Sequence, residues 1–545
     1  MPDAMKSGNV ASHLKDAASR LPDQAAILSS NPQGFGERSF GELYEDVLRY
    51  SSLLRERGFK KGDKTLLLVK SGYELIVVAF SLFFIGAVPV IIDPGMGLKS
   101  VLRCIRSTRP DHMIGIALAH WLGRLCRKSF GGIRNRILIR PNQFEGLKGK
   151  IGAFPENLSP VEKSPEELAA IVFTSGSTGP PKGVRYMHKT FNGQILALKE
   201  NFGMEEGEVD MATLPIFALF NPALGITTVL PDMNPSRPAE ASGEKLVETL
   251  LSHDVTTAFA SPVIGRKIAT WCSRQGVRLP NVRRFFLAGA PSPPSLIGQL
   301  ASVIENGRVI VPYGATEALP VSFCDHREVG LLKAEVERGE GSCLGHALPG
   351  ISIKLFPAST APLGSDGGLA EVESGDVGEI CVAGPVVTEE YHRMPGATFD
   401  SKFRHDALLY HRMGDLGYFD KDGRLRFMGR KAECLQTKHG PLQTERCEPI
   451  ANTVSGVRRS ALIGIGRGRT KKPCMVVELE SHARDEQSRK RVAKEILGSL
   501  ADRLPEFGIS AIVFEKSLPV DTRHNAKIHR LALAKKWTRK LGGDK

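Results

Sequence analysis

No two of the nine cysteines in this 545-residue chain stand at Cys-x-x-Cys spacing, and their number is odd. Neither a structural zinc site nor a disulfide framework is indicated, and reduced thiols in a cytoplasm fit the pattern. Residues 1–21 lack the apolar stretch and small-residue cleavage site of a secretory leader, so a cytoplasmic protein is expected. There is no internal repeat, no low-complexity tract and no nucleic-acid-binding motif. An uninterrupted membrane span is also missing. Leu75 to Ile92 carries no charge, but Gly86 and Pro89 divide it. It reads as a buried helix and a buried parallel strand, closed by the turn Asp93-Pro94-Gly95, with no transmembrane segment.

What is present is the composition of a soluble globular protein, 41% hydrophobic and 24% charged, long enough for at least two domains. The net charge of +14 reads as scattered and interleaved with acids, which predicts an ordinary solvated surface. One local exception, Lys535, Lys536, Arg539 and Lys540 beside Leu531, Leu533 and Trp537, predicts a short amphipathic tail. From Phe40 to about Ile310, helical stretches alternate with short strand-like runs such as Thr65 to Val69 and Arg284 to Leu287, each followed by Gly, Pro or Ser. That order predicts a parallel sheet with ligand loops at the strand ends. Beyond Gly345 the segments shorten and fill with Gly, Pro, Asp and Val, which predicts small antiparallel sheets or a barrel. A last compact α/β piece is expected from Lys431, with strands near 458–465 and 473–479 and a helix near 488–504.

The strand-like run Ile171-Val172-Phe173 leads directly into Thr174-Ser175-Gly176-Ser177-Thr178-Gly179-Pro180-Pro181-Lys182-Gly183. Glycines allow backbone N–H groups to converge on phosphate oxygens, hydroxyls add donors, and Lys182 adds a compact positive charge. The P-loop of nucleotide hydrolases is a different motif, because it needs Gly before its Lys and Ser or Thr after it. Further on, Asp422-Gly423 is a two-residue hairpin signal between Gly417–Phe419 and Leu425–Phe427. Positions 415 and 430 are equidistant from that turn. Asp415 and Arg430 are therefore expected side by side at the hairpin's open end, either as a cross-strand ion pair or as a site for ribose hydroxyls.

The glycine-rich string closely resembles the phosphate loop of the acyl-adenylate-forming superfamily, which includes acyl-CoA synthetases, peptide-synthetase adenylation domains and luciferases. Other segments follow in the superfamily's order. The resemblance implies that Thr174, Ser175, Gly176, Ser177, Thr178, Gly179 and Lys182 hold ATP phosphates. It implies that Gly289, Ala290 and Pro291 line the adenine pocket, and that in Tyr313-Gly314-Ala315-Thr316-Glu317 the Tyr stacks on adenine. Thr316 would meet the α-phosphate and Glu317 would help hold Mg²⁺. Met413-Gly414-Asp415 and Gly429-Arg430-Lys431 match the ribose and hinge motifs, although many acyl-CoA synthetases carry Asp where Lys431 stands. Lys527, in His524-Asn525-Ala526-Lys527, is the implied catalytic cation between carboxylate and α-phosphate. The fold implied is α/β. A large domain, 1–430, has stacked α/β sheets and a small β-barrel-like subdomain, and a small mobile lid domain follows at 431–545.

Longer strings look like the β-lactone synthetases of bacterial long-chain olefin biosynthesis. They are Leu214 to Gly225, Pro231-Asp232-Met233, His411 to Asp415, Gly440 to Glu445 and Pro519 to Lys527. That resemblance implies ATP-dependent adenylation of a long-chain 2-alkyl-3-hydroxy acid, attack by its own 3-hydroxyl, and release of AMP and a cis-β-lactone. It also implies a complex with a pathway reductase and a β-lactone decarboxylase. Phe217 and Phe220 are candidates for the acyl pocket or for plain core. His188, His411 and His524 are candidates for the base, although a lone histidine is more often structural. A long-chain acyl-CoA ligase and a silent nucleotide-binding scaffold are the competing readings. The intact set of Lys182, Thr316, Glu317, Asp415, Arg430 and Lys527, all in order, speaks against silence.

Overall fold

A computed structural model describes residues 8–30, 36–140, 144, 158–174, 180–214, 217–359, 370–466, 468, 470–509, 511–520 and 528–541. Two sheets and a smaller C-terminal unit organise them. The first sheet has the spatial order Asn135–Leu138, His112–Gly115, Lys64–Leu68, Val88–Ile92, Leu168–Thr174 and Lys182–Met187. Its first five strands are parallel. The sixth runs antiparallel to Leu168–Thr174, with Thr174 opposite Lys182. The glycine-rich string therefore joins two strands of a hairpin, not a strand and a helix as the surrounding alternation predicts. Gly183 allows the close pairing: a Cβ there would lie 2.7 Å from the Phe173 ring and 3.2 Å from Ile171.

The second sheet is larger. A parallel run of Ala25–Ser29, Thr227–Leu230, Val209–Ala212, Thr257–Ala260, Arg284–Leu287 and Arg308–Ala315 continues into antiparallel strands. These are Ala318–Asp325, Ser342–Ala347, Leu425–Arg430, Leu408–Phe419, Gly378–Ala383 and Ser352–Phe356. The change of texture beyond Gly345 thus marks a real change from parallel to antiparallel pairing.

Helix Tyr73–Phe84 lies in the core cluster that draws on both sheets, and ten of its twelve residues are buried. A helix apolar on every side needs such surroundings. Gly86, at φ 74°, and strand Val88–Ile92 follow it as the sequence predicts. None of the described helices is long and apolar enough to cross a membrane. Helices Gly243–Ser252, Pro262–Gln275 and Pro294–Ala301 bury the outer face of the second sheet's parallel part in a separate core.

The C-terminal unit has its own sheet, Val457–Ile465, Lys472–Leu479 and Ala511–Glu515. Helix Glu486–Arg503 packs on one face and Arg530–Leu541 on the other. The predicted amphipathic tail is this last helix, with Leu533 buried against the strands. Arg530 ties the unit together: it donates to Glu448 at 2.6 Å and to Glu433 at 2.9 Å. Residues 521–527, including His524 and Lys527, lie outside the described residues, but the chain on either side meets at the Val520–Ile528 bridge.

Candidate active site

The expected site residues come from three neighbouring places: the hairpin after Leu168–Thr174, the carboxyl ends of the second sheet's parallel strands, and the open end of the Leu408–Arg430 hairpin. Ser175, Gly176, Ser177, Thr178 and Gly179 lie outside the described residues, and Thr174 is described only as the end of its strand. Lys182 opens the returning strand. Its ammonium sits 4.7 Å from the centre of the Tyr391 ring and 3.5 Å from Ser401 Oγ.

Strand Arg284–Leu287 ends at Gly289-Ala290-Pro291, where Gly289 takes φ 89°, a backbone state open to glycine. The neighbouring strand Arg308–Ala315 carries Tyr313 and Gly314. Ala315 pairs with Ala318, so Thr316 and Glu317 are the two residues of a tight hairpin turn. Gly314 has no room for a side chain, since a Cβ would lie 2.7 Å from the Ala318 carbonyl oxygen. The turn is held from below: Tyr186 donates its hydroxyl to the Thr316 carbonyl at 2.6 Å, and the Thr388 backbone N–H donates to the Glu317 carbonyl at 2.8 Å.

Asp415 and Arg430 pair as expected, but by another route: Phe419 opposes Leu425 and Asp420 bonds to Arg424, so the loop is the three residues 421–423, and an irregularity between Leu416 and Gly417 shifts the register by one and brings 415 opposite 430. Gly423 turns with φ 76°, and the guanidinium lies 2.9 Å from Asp415 Oδ1. Tyr313 adds a third member by donating its hydroxyl to Asp415 Oδ2 at 2.8 Å. Burial, and then the Asp415 charge, push the Tyr313 phenol well above its usual pKa, which keeps it protonated as a donor. The ion-pair reading is thus realised.

Lys431 follows at once. Its ammonium lies 2.7 Å from Glu379 Oε1 and 3.0 Å from the Ser359 carbonyl oxygen. Glu379 is fully buried and also accepts from Arg412 at 2.7 and 3.1 Å. The unusual residue type at this position has a physical reason: an acid at 431 would face a buried carboxylate.

Around Glu317 the fold collects groups that no sequence motif singled out. Tyr391 donates its hydroxyl to Glu317 Oε1 at 2.7 Å. Lys402 is buried, donates to the Thr388 carbonyl, and has its pKa pushed down to about 7 by that burial, against the opposing pull of Glu317 and Glu389. A lone lysine in Thr398-Phe399-Asp400-Ser401-Lys402 gives no sign of burial in the sequence. His411, buried beside this group, is pushed well below the usual histidine value by desolvation and then by Lys402 and Lys182, so its ring is neutral at pH 7. His188 has a structural partner: its Nδ1 accepts from the Val10 backbone N–H at 3.3 Å.

Among the described residues no three His, Cys, Asp or Glu side chains gather as a metal cage. The single carboxylate of Glu317 suits Mg²⁺, which typically takes one or two protein carboxylates and completes its shell with substrate phosphates and water.

Phe217 stacks on Phe259 at 4.5 Å, Phe259 stacks on Phe286 at 4.1 Å, and Phe220 packs tilted on Phe191. Both candidate acyl-pocket residues thus belong to an aromatic array in the core. Beside them a small cavity of about 60 Å³ is lined by Gly72, Leu75, Ile76, Ala218, Leu230 and Met233 among others, and by neither phenylalanine. A larger cleft, about 1180 Å³, is elsewhere. It lies at the amino ends of the parallel strands, where Arg284 is engaged by Glu208.

A profile of the AMP-binding enzyme family matches residues 14–392. Two similar proteins are olefin β-lactone synthetases. The one from Stenotrophomonas maltophilia (strain K279a) is 38% identical over 96% of this chain and 97% of its own length. The one from Xanthomonas campestris pv. campestris is 36% identical over the same shares. A 2-succinylbenzoate–CoA ligase from Geobacillus kaustophilus is 28% identical over 83% of this chain and 84% of its own. In fold, the chain is similar to ATP-bound MatB from Rhodopseudomonas palustris, with a TM-score of 0.78 at 21% identity, covering 98% of this chain and 99% of that one.

Proposed function

The chain belongs to the AMP-binding enzyme family, and from that premise we propose that it adenylates a long-chain 2-alkyl-3-hydroxy acid and closes it to a β-lactone. The observation that carries this reading is the near-full-length identity of 38% and 36% to olefin β-lactone synthetases, against 28% to a CoA ligase. In the first step a carboxylate oxygen attacks the α-phosphorus of ATP and pyrophosphate leaves. In the second, the substrate's 3-hydroxyl oxygen attacks the acyl carbon, AMP leaves, and the hydroxyl proton passes to a base. A strained four-membered ring needs a good leaving group and a held conformer, and the enzyme supplies both.

Under this reading Thr174 to Gly179 and Lys182 cradle the triphosphate, and Gly289, Ala290 and Pro291 border the adenine. The Tyr313 ring stacks on the base, its orientation fixed by the bond to Asp415. Asp415 and Arg430 receive the ribose. Thr316 meets the α-phosphate. Glu317 would hold Mg²⁺, which when bound supplies charge neutralisation at the phosphates. Lys527 bridges the two anions that must approach, and a cation arriving with a closing lid lowers that barrier electrostatically. Lys431 serves as the hinge between a large domain, 1–430, and a lid, 431–545. His188, His411 and His524 are the candidates for the base; Nδ1 of His188 is engaged by Val10, and burial with Lys402 and Lys182 nearby opposes protonation of His411. Phe217 and Phe220 border the acyl chain. A cytoplasmic location and assembly with a reductase and a β-lactone decarboxylase belong to the same reading.

The test is to supply ATP, Mg²⁺ and a 2-alkyl-3-hydroxy acid without CoA. AMP and β-lactone are expected in equal amounts, and Lys527→Ala should abolish both while ATP still binds. A thioester formed only when CoA is added would overturn lactone closure.

A further inference from the structure

Charge is not spread over the chain as its overall interleaving predicts. Residues 94–140 hold ten lysines and arginines against one acid, Asp111, and so carry nine of the fourteen net positive charges. Six of the ten, Lys99, Arg103, Arg106, Arg124, Arg127 and Lys128, are exposed and have no ion-pair partner among the described residues. They belong to three short helices without a single acid, Leu98–Thr108, Ala117–Leu125 and Arg127–Phe130. The last of these packs against both others, which brings the three into one surface.

The middle helix is inside out. A surface helix normally turns its large apolar residues toward the core. Ala117–Leu125 instead lays Ala119 and Gly123 on the protein: Ala119 packs against Gly115, and Gly123 approaches Phe130 and Arg136. Leu118, Trp121 and Leu125, which share one face at i, i+3 and i+7, stand 59%, 57% and 62% exposed. Leu98, at the start of the first helix, is 51% exposed.

Apolar side chains with a tryptophan among them, on helices that carry unpaired cations and no acid, match one occupant by charge and by polarity. That occupant is the headgroup region of an anionic bilayer, where the apolar groups enter the acyl boundary and the cations meet lipid phosphates. We propose that this face docks the protein onto an anionic lipid surface. The helix is too short to span a bilayer and lies along it. It begins just after strand His112–Gly115, which is separated by two strands from the parallel strand Leu168–Thr174.

The experiment is co-sedimentation of the full chain with phosphatidylcholine vesicles made with or without phosphatidylglycerol. Binding is read without substrate, so it does not depend on the proposed reaction. We expect binding to anionic vesicles that weakens about tenfold or more with neutral lipid or at high salt, as screening of surface charge requires. The combined change Leu118→Ser, Trp121→Ser and Leu125→Ser should weaken it by a similar factor. Arg124→Ser, Arg127→Ser and Lys128→Ser together should flatten the salt dependence. Both variants change exposed side chains, so ATP-dependent AMP release with a short, soluble acid should stay at the parent level and report correct folding. Unchanged vesicle binding in the apolar variant overturns the proposal. So does a parent that self-associates in sedimentation velocity without binding lipid, in which case the face is a protein interface.

Discussion

Replacing Lys431 with Asp, the residue expected here from the resemblance to acyl-CoA synthetases, should destabilise the protein before it affects any chemistry. The Lys431 ammonium is 2.7 Å from a Glu379 carboxylate that is 1% exposed, while Lys431 itself is 27% exposed. At an effective dielectric of roughly 20, that separation corresponds to about 6 kcal/mol of attraction before desolvation is subtracted. Breaking a fully buried pair costs about 3–5 kcal/mol. Arg412 stays on Glu379 and Lys431 is partly solvated, so Lys431→Ala should cost less, about 1–3 kcal/mol. Lys431→Asp adds a like charge beside the buried carboxylate and should cost about 1–2 kcal/mol more than Ala. Guanidinium unfolding of parent, Ala, Asp and Arg variants reads this directly, with Arg expected to recover most of the loss. Pyrophosphate exchange and lactone release, measured separately, then show whether a hinge role exists beyond stability. If Lys431→Asp unfolds at the parent midpoint, the ion pair does not hold the resting protein together, and the explanation for a lysine at this position fails.

Two further substitutions probe the same region. Lys402→Met should stabilise the protein most at pH 7 and below. The folded lysine titrates near 7 and the unfolded one near 10.4, so across that window the unfolded parent binds more protons and parent stability rises with pH. The advantage of Met should shrink by roughly 4–5 kcal/mol between pH 7 and pH 10.4, apart from a pH-independent loss of about 1 kcal/mol for the bond to Thr388. Denaturant midpoints measured from pH 6.5 to 9.5 check this, and a pH-independent difference contradicts it. Gly183→Ala places a methyl 2.7 Å from the Phe173 ring and should cost about 1–3 kcal/mol by overpacking, with ATP binding weakened because the strand that carries Lys182 shifts. Parent-like stability and ATP affinity would refute the close-packed hairpin.

Much of the site was legible from local rules. Asp422-Gly423 marks the hairpin, while the pairing of Asp415 with Arg430 also needs the bulge at Leu416 and Gly417, which turn chemistry does not announce. The breakers Gly86 and Pro89 separate helix from strand where the structure does. What local rules miss is set by distant partners. The returning strand Lys182–Met187 exists because Gly183 fits against Phe173 and Ile171, a contact that alternation of helix and strand does not encode. Lys402 is buried by residues far along the chain, contrary to the habit of its type, and Tyr391 reaches Glu317 across 74 positions. The concentration of charge in 94–140 was readable from the start, but a whole-chain view averaged it away.

Arg530 limits where the molecule can bend. Its guanidinium clasps Glu433, near the beginning of the C-terminal unit, and Glu448, so the last helix is bolted to the unit's first turn. Lys431 is meanwhile moored to Glu379 on the other side. Between these two anchorages lies Ala432. Were the C-terminal unit to swing with both anchorages kept, the backbone between them could turn only at this single link, and breaking the clasp at Arg530 would free the last helix from the unit's start without touching that link.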